Sequence, residues 1–218
     1  VIIPLLNGIE HLAILRRRYG RRVIAASIGG VEAMTRAPNH IVHTTPSAQI
    51  ELASDGDVAP DRLVEIADRL SRAGFQARVL RREADVLWGK LVRINALACT
   101  PSASGQALGG VQSAPSWRAR LEQCLHEGAA VAAAEGVRLD VPVLMRQIDG
   151  FPASLTTSMQ RDIAAGTPSE LDAIAGAVVR AGARHGIHCP VIEGLIAQIE
   201  ARAVGSATRR LGVTVTQP

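Results

Sequence analysis

Phe75-Gln-Ala-Arg-Val-Leu80-Arg-Arg-Glu-Ala-Asp85-Val-Leu-Trp-Gly-Lys90 carries the last strand pattern of the chain and the first turns of the helix expected after it. Before this stretch, short apolar runs alternate with amphipathic helical spacing. After it, Gly and Pro punctuate segments of helical length, about 82–99, 115–135, 141–150, 152–165, 168–185 and 190–204, with no strand pattern between them. The reading is therefore an α/β part over 1–81, an all-α helical domain over 82–204, and a tail over 205–218. The tail loses helical periodicity and is expected to be flexible. The chain as a whole is expected to be mostly helical.

Toward the amino terminus, Val1-Ile-Ile-Pro-Leu-Leu6 reads as a buried strand ending at the Asn7-Gly8 turn. Ile9, Leu12, Ala13 and Leu15 then fit one face of a helix, and Arg22 to Ser27 reads as a second strand. Ile41 to Leu52 alternates around Pro46 and suits a small antiparallel excursion. Pro60-Asp61 opens a helix whose Leu63, Ile66, Ala67, Leu70 and Ala73 keep helical spacing up to a stop at Gly74. Toward the carboxyl terminus, Thr167-Pro-Ser-Glu170 has the form of a capping box, and Pro190 starts the final helix. A chain that opens on Val1 inside a strand pattern is expected to have a preceding part.

With 218 residues and 47% hydrophobic content, the chain can bury a substantial core. Two Trp, one Tyr and two Phe leave that core to Ala, Val, Leu and Ile, which suits close helix packing better than a β-sandwich. The net charge of +4 is spread among apolar residues, which argues against a dedicated nucleic-acid binder. The longest uncharged stretch, Ile94 to Trp117, is broken by Pro, Gly and Ser, and no basic segment leads into an apolar run, so a cytoplasmic protein without a membrane span is expected. Cys99, Cys124 and Cys189 lie too far apart in sequence to suggest a disulfide framework or a paired metal motif.

Of the 24 basic residues, only Lys90 is Lys. Arg is effectively always protonated, whereas a partly buried Lys can give up a proton, so a single Lys inside the apolar helix Trp88-Gly-Lys-Leu-Val92 is the first catalytic candidate. Against this stands chance retention of a surface residue. Asn is nearly as scarce, at Asn7, Asn39 and Asn95 only. Asn7-Gly8 can face a ligand at the carboxyl edge of a sheet, or be an ordinary turn. Asn95 follows Lys90 by five residues, roughly 140° around a regular helix, so the two converge only across a local bulge. Ser158 can bind a carboxylate or cap a helix, and Glu170 can serve a site or the capping box. His40-x-x-His43 and His185-x-x-His188 lack further ligands at metal spacing, and no metal site is expected. No G-x-G-x-x-G loop is present, since Ser27-Ile-Gly-Gly30 has the wrong spacing.

The order and spacing of five segments resemble the ketopantoate reductase family: Leu6-Asn-Gly8, Asp85-Val-Leu-Trp-Gly-Lys90, Thr157-Ser-Met-Gln-Arg-Asp162, Ser169-Glu-Leu-Asp172 with Gly176, and Gly186-Ile-His-Cys-Pro190. The resemblance runs from Val1 to about Arg202. It implies a Rossmann-type dinucleotide-binding domain, of which 1–81 would be the carboxy-terminal remnant, followed by a helical domain like the carboxy-terminal one of 6-phosphogluconate dehydrogenase. It also implies NADPH-dependent reduction of a 2-keto acid, by default 2-dehydropantoate to pantoate in pantothenate biosynthesis. By that resemblance Lys90 matches the lysine that protonates the substrate carbonyl oxygen. Asn7 matches the residue that meets the cofactor near its nicotinamide end, Glu170 the glutamate near cofactor and lysine, and Ser158 the serine that holds the substrate carboxylate. A homodimer through the helical domain is a further implication.

The family's asparagine four residues after the lysine is Ile94 here, with Asn95 one place later as the substitute substrate contact. Its Asn-Pro-Leu-Thr segment appears as Cys99-Thr-Pro-Ser102, and the asparagine three residues before Ser158 is Leu155. Lost polar partners relax discrimination, which leaves room for another 2-keto acid. Two other readings stand beside this one: a noncatalytic helical dimerisation or regulatory module, and a related two-domain hydroxyacid dehydrogenase.

Overall fold

In the computed structural model, the described residues are 1–31, 33–43, 45, 48–56 and 58–210. They fall into two compact units, Val1–Lys90 and the residues from Leu91 on.

The first unit is a mixed sheet with helices on both faces. Strand β1 (Ala25–Gly29) pairs antiparallel with β4 (Gln49–Ala53), and β4 pairs parallel with β5 (Gln76–Val79). Alternate side chains of a strand point to opposite faces. Ile24, Ala26, Ile50 and Leu52 accordingly pack on Leu63, Ile66 and Ala67 of α2 (Pro60–Arg72). Val23, Ala25 and Ala53 pack on the other face with Leu12 of α1 (His11–Tyr19) and Val86 of α3 (Glu83–Ser104). Between β1 and β4 a hairpin forms from β2 (Ala33–Ala37) and β3 (His40–His43), turning at Asn39, whose φ of 63° is the left-handed conformation Asn tolerates.

This matches the predicted helix at 60–73, the strand at 75–80 and an antiparallel excursion, though the hairpin precedes Pro46, which lies outside the described residues. The strand predicted over Val1–Leu6 is corrected to a single parallel bridge between Ile2 and Val23, because Pro4 has no N–H to extend the ladder. The second strand begins at Ala25 rather than Arg22, a 3-10 turn taking Gly20–Arg22.

The second unit is helical. It contains the rest of α3, then α4 (Leu108–Ser113), α5 (Pro115–Ala134), α6 (Val141–Asp149), α7 (Ser158–Ala165), α8 (Ala177–Arg184) and α9 (Pro190–Arg210). Close approach is set at small residues: a Cβ on Gly128 of α5 would lie 3.1 Å from Val92 of α3, and one on Gly182 of α8 would lie 2.7 Å from the Ile187 carbonyl. The Glu127 carboxylate accepts from the N–H groups of Val191 and Ile192, both at 2.9 Å, so a side chain of α5 caps the amino end of α9.

Four expectations in this unit are corrected. First, α3 runs on to Ser104 through Pro101 instead of ending near residue 99. Second, residues 152–157 are not helical, and a capping box fixes the start of α7, with Thr157 Oγ1 accepting from Gln160 N and Gln160 Oε1 from Thr157 N. Third, the box predicted at Thr167–Glu170 does not form. Thr167 is turned back, its N–H and hydroxyl both donating to the Asp162 carbonyl, and helix resumes only at Leu171, through a π-turn over Asp172–Gly176. Fourth, the residues read as the start of a flexible tail continue α9 as far as Arg210; 211–218 lie outside the described residues. The short helix α4 was not predicted.

Candidate active site

In the first unit, α1 and the first turns of α3 meet in reversed order. Arg16 of α1 pairs with Glu83 at 2.5 Å, Leu12 and Leu15 share an apolar cluster with Val86 and Leu87, and His11 feels the charge of Lys90. Arg16 also donates to the Val23 carbonyl at 2.9 Å, and Glu83, only 6% exposed, takes the Asp55 N–H at 2.9 Å. This partly buried pair ties α1, α3 and the end of β4 together. At the other end of this helix pair, Lys90 is half-buried on α3, and the Asn7-Gly8 turn leads into α1 at His11. Gly8, at φ 83°, makes that turn in a conformation other residues resist.

His11 was missed by the sequence reading, which weighed only the H-x-x-H pairs. Both of its ring nitrogens are buried without a hydrogen-bond partner. Burial first, and the positive charge of Lys90 second, push its pKa below the usual histidine range, so it is neutral at pH 7. A neutral imidazole always has one N–H to donate and one lone pair to satisfy, so His11 can both donate to and accept from a ligand beside Lys90. Its signal in the sequence was position: a histidine three residues past a strand-to-helix Asn-Gly.

In the second unit, Ser158 is exposed at the first position of α7, and Glu170 is exposed two residues before the π-turn, a helix irregularity that often accompanies functional sites. Asn95 is placed differently. It is fully buried, donating to Cys124 Sγ at 3.4 Å and accepting from Cys99 Sγ at 3.3 Å. α3 is regular α-helix across Lys90 and Asn95, so no bulge rotates Asn95 toward the lysine. Burial pushes the Cys99 thiol up to about 12 and Cys189 up to about 11, and raises Cys124 well above its ordinary value, so all three are protonated and inert as nucleophiles.

Of the histidine pairs, His43 contacts Thr45 Oγ1 at 2.8 Å and His185 contacts Glu135 at 3.0 Å. Among the described residues no group of three or more His, Cys, Asp or Glu side chains is placed to hold a metal, and no helix is long and apolar enough to cross a membrane.

Residues 84–203 match the family described as "Ketopantoate reductase PanE/ApbA C terminal". The chain belongs to this family. Among curated relatives named 2-dehydropantoate 2-reductase, the Halobacterium salinarum protein is 29% identical over 204 residues, covering 89% of this chain and 65% of that one. The Pyrobaculum aerophilum protein is 31% identical over 196 residues, covering 84% and 70%. The chain thus spans about two thirds of the length of such relatives. Among solved structures, the ketopantoate reductase of the PanE/ApbA family from Ralstonia eutropha superposes with a TM-score of 0.79 at 26% identity, over 94% of this chain and 67% of that one. A ternary D-mandelate dehydrogenase complex with NADH and anilino(oxo)acetate superposes with a TM-score of 0.86 at 22% identity, over 94% and 68%, and shares the fold.

Proposed function

We propose that this ketopantoate reductase family chain carries the proton-donating and substrate-binding side chains of a cytoplasmic NADPH-dependent 2-keto acid reductase. Its default substrate is 2-dehydropantoate, reduced to pantoate in pantothenate biosynthesis. Residues 1–81 are assigned to the closing part of a Rossmann-type domain and 82–204 to the substrate domain. The observation that carries the reading is Lys90: the only Lys of the chain, half-buried on α3, its charge felt by an imidazole whose two nitrogens lack partners.

The residues present fit a nicotinamide group, since the two orphaned nitrogens of His11 offer a donor and an acceptor to a carboxamide, and Asn7 is assigned to the same end of the cofactor. When bound, that cofactor supplies the hydride. The chain does the rest. The Lys90 ammonium donates a hydrogen bond to the substrate carbonyl oxygen and gives that oxygen its proton as negative charge builds there, stabilising charge that exists only along the reaction path. His11, neutral at pH 7, adds no second positive charge to compete for that oxygen. The Ser158 hydroxyl donates to the substrate carboxylate, and Glu170 is assigned to the cofactor side.

Asn95 is left out of the substrate contacts, because its amide is engaged by two cysteines. A homodimer through the helical domain completes the proposal. Replacing Lys90 by Met in the protein expressed from its complete open reading frame, and assaying NADPH oxidation with 2-dehydropantoate, tests the reading. Loss of turnover supports it, and full activity overturns it.

A further inference from the structure

Three hydroxyls follow one another at alternate positions near the carboxyl end of α3. Thr100 Oγ1 donates to the Ala96 carbonyl at 2.7 Å and Ser104 Oγ to the Pro101 carbonyl at 3.1 Å, each closing a local bond. Ser102, between them, is only 3% exposed, and its Oγ has no partner. A buried hydroxyl left unpaired opposes folding, so a native one calls for the group that completes it.

Ser102 lines a cavity of about 650 Å³, a volume usual for small-molecule sites. Its wall also holds Gln160, Arg161 and Arg202, with no acidic side chain among the lining residues. Arg161 donates once, to the Thr156 carbonyl at 3.0 Å, and neither guanidinium pairs with a carboxylate among the described residues. Arg202 lies across Gly105, where a Cβ would fall 1.8 Å from its Nη2; only glycine leaves it that place. The Pro101 carbonyl already accepts from Gly105 N, Ser104 Oγ and Gln160 Nε2.

We propose that this cavity binds a small organic oxyanion, a phosphate or a carboxylate. Arg161 and Arg202 hold the charged head, the Ser102 hydroxyl donates a further hydrogen bond, and Ile163, Ala164 and Ala201 contact the carbon body. Two guanidiniums lining one cavity and an unpaired donor are the chemistry that recognises such a head group.

The test titrates the protein with inorganic phosphate and, separately, with acetate, at constant ionic strength set by sodium chloride, reading the amide NMR shifts of residues 102–105 and 156–164. Saturable shifts with either anion that weaken in the arginine variants support the site, and which one saturates at the lower concentration tells a phosphate head from a carboxylate. Arg161→Met and Arg202→Met are each expected to weaken that binding by about tenfold or more. Ser102→Ala is expected to weaken it while leaving the melting temperature of the free protein unchanged or higher, since it removes an unpaired hydroxyl. Shifts that fail to saturate with both anions, or an affinity the same in both arginine variants as in the parent, overturn the proposal.

Discussion

Arg16 Nη2 lies 2.5 Å from Glu83 Oε1, and through this pair the helix after the Asn7-Gly8 turn is held against the helix that carries Lys90. Glu83 also accepts the Asp55 N–H, and Arg16 also reaches the Val23 carbonyl, so neither end is a free surface charge. Removing one member leaves the other partly buried and uncompensated. Glu83→Ala is expected to destabilise the protein by about 2–4 kcal/mol, well above the effect of breaking the exposed Arg62–Glu65 pair, which thermal unfolding of the two variants measures.

His11 makes stability depend on pH with a definite sign. Its folded pKa is depressed, so below the ordinary histidine value of 6.5 the unfolded chain takes up a proton that the native protein refuses. Stability falls as pH drops through 6.5 and levels off only below the folded pKa, where both states are protonated. His11→Phe removes the two unpaired nitrogens with the proton site. Denaturant unfolding at pH 7.5 and 5.5 is expected to show a smaller acid-side loss in the variant than in the parent, and an equal or larger loss contradicts the assignment.

Asn95→Ala is expected to lower stability by about 1–3 kcal/mol, because the amide bridging Cys99 and Cys124 is fully buried. It is not expected to raise KM for the 2-keto acid. Ser158→Ala, on an exposed first turn, is expected to do the reverse, raising KM about tenfold with little change in the unfolding midpoint. Steady-state kinetics of the two variants side by side separate the roles.

Burial keeps all three thiols protonated, with Cys99 pushed up to about 12 and Cys189 up to about 11. A disulfide reagent at pH 8 is expected to leave the native protein unmodified over the minutes in which it labels the unfolded chain completely. Rapid native labelling of Cys99 or Cys124 would show that the helical core opens on that timescale.

Much of this fold was legible because it rests on periodicity. Leu63, Ile66 and Ala67 mark one face of α2 in sequence and pack on the sheet in space. What escaped depends on contacts far apart in the chain. Thr167-Pro-Ser-Glu170 and Thr157-Ser-Met-Gln160 carry the same local cap signature, yet only the second caps a helix, its Gln160 also reaching the Pro101 and Gln106 carbonyls of a distant segment. Thr167 instead closes the end of α7. Pro101 was expected beyond the end of α3, but tertiary packing carries the helix through it despite the lost N–H. In the candidate site, scarcity singled out Lys90, which acts electrostatically on His11 at the start of α1, and Asn7, in the bend before that helix. Asn95 was equally scarce, and only the three-dimensional packing reveals that cysteines enclose it. His11 became visible only through the burial of both its nitrogens.

The most direct test of the central claim is the single-lysine experiment. Lys90→Met, made in the protein expressed from its complete open reading frame, is assayed for NADPH oxidation with 2-dehydropantoate and related 2-keto acids. Loss of the general acid is expected to lower kcat by about 10²–10⁴-fold while leaving NADPH binding, followed by fluorescence titration, within a few-fold of the parent. Parent and variant turning over at the same rate would contradict the account.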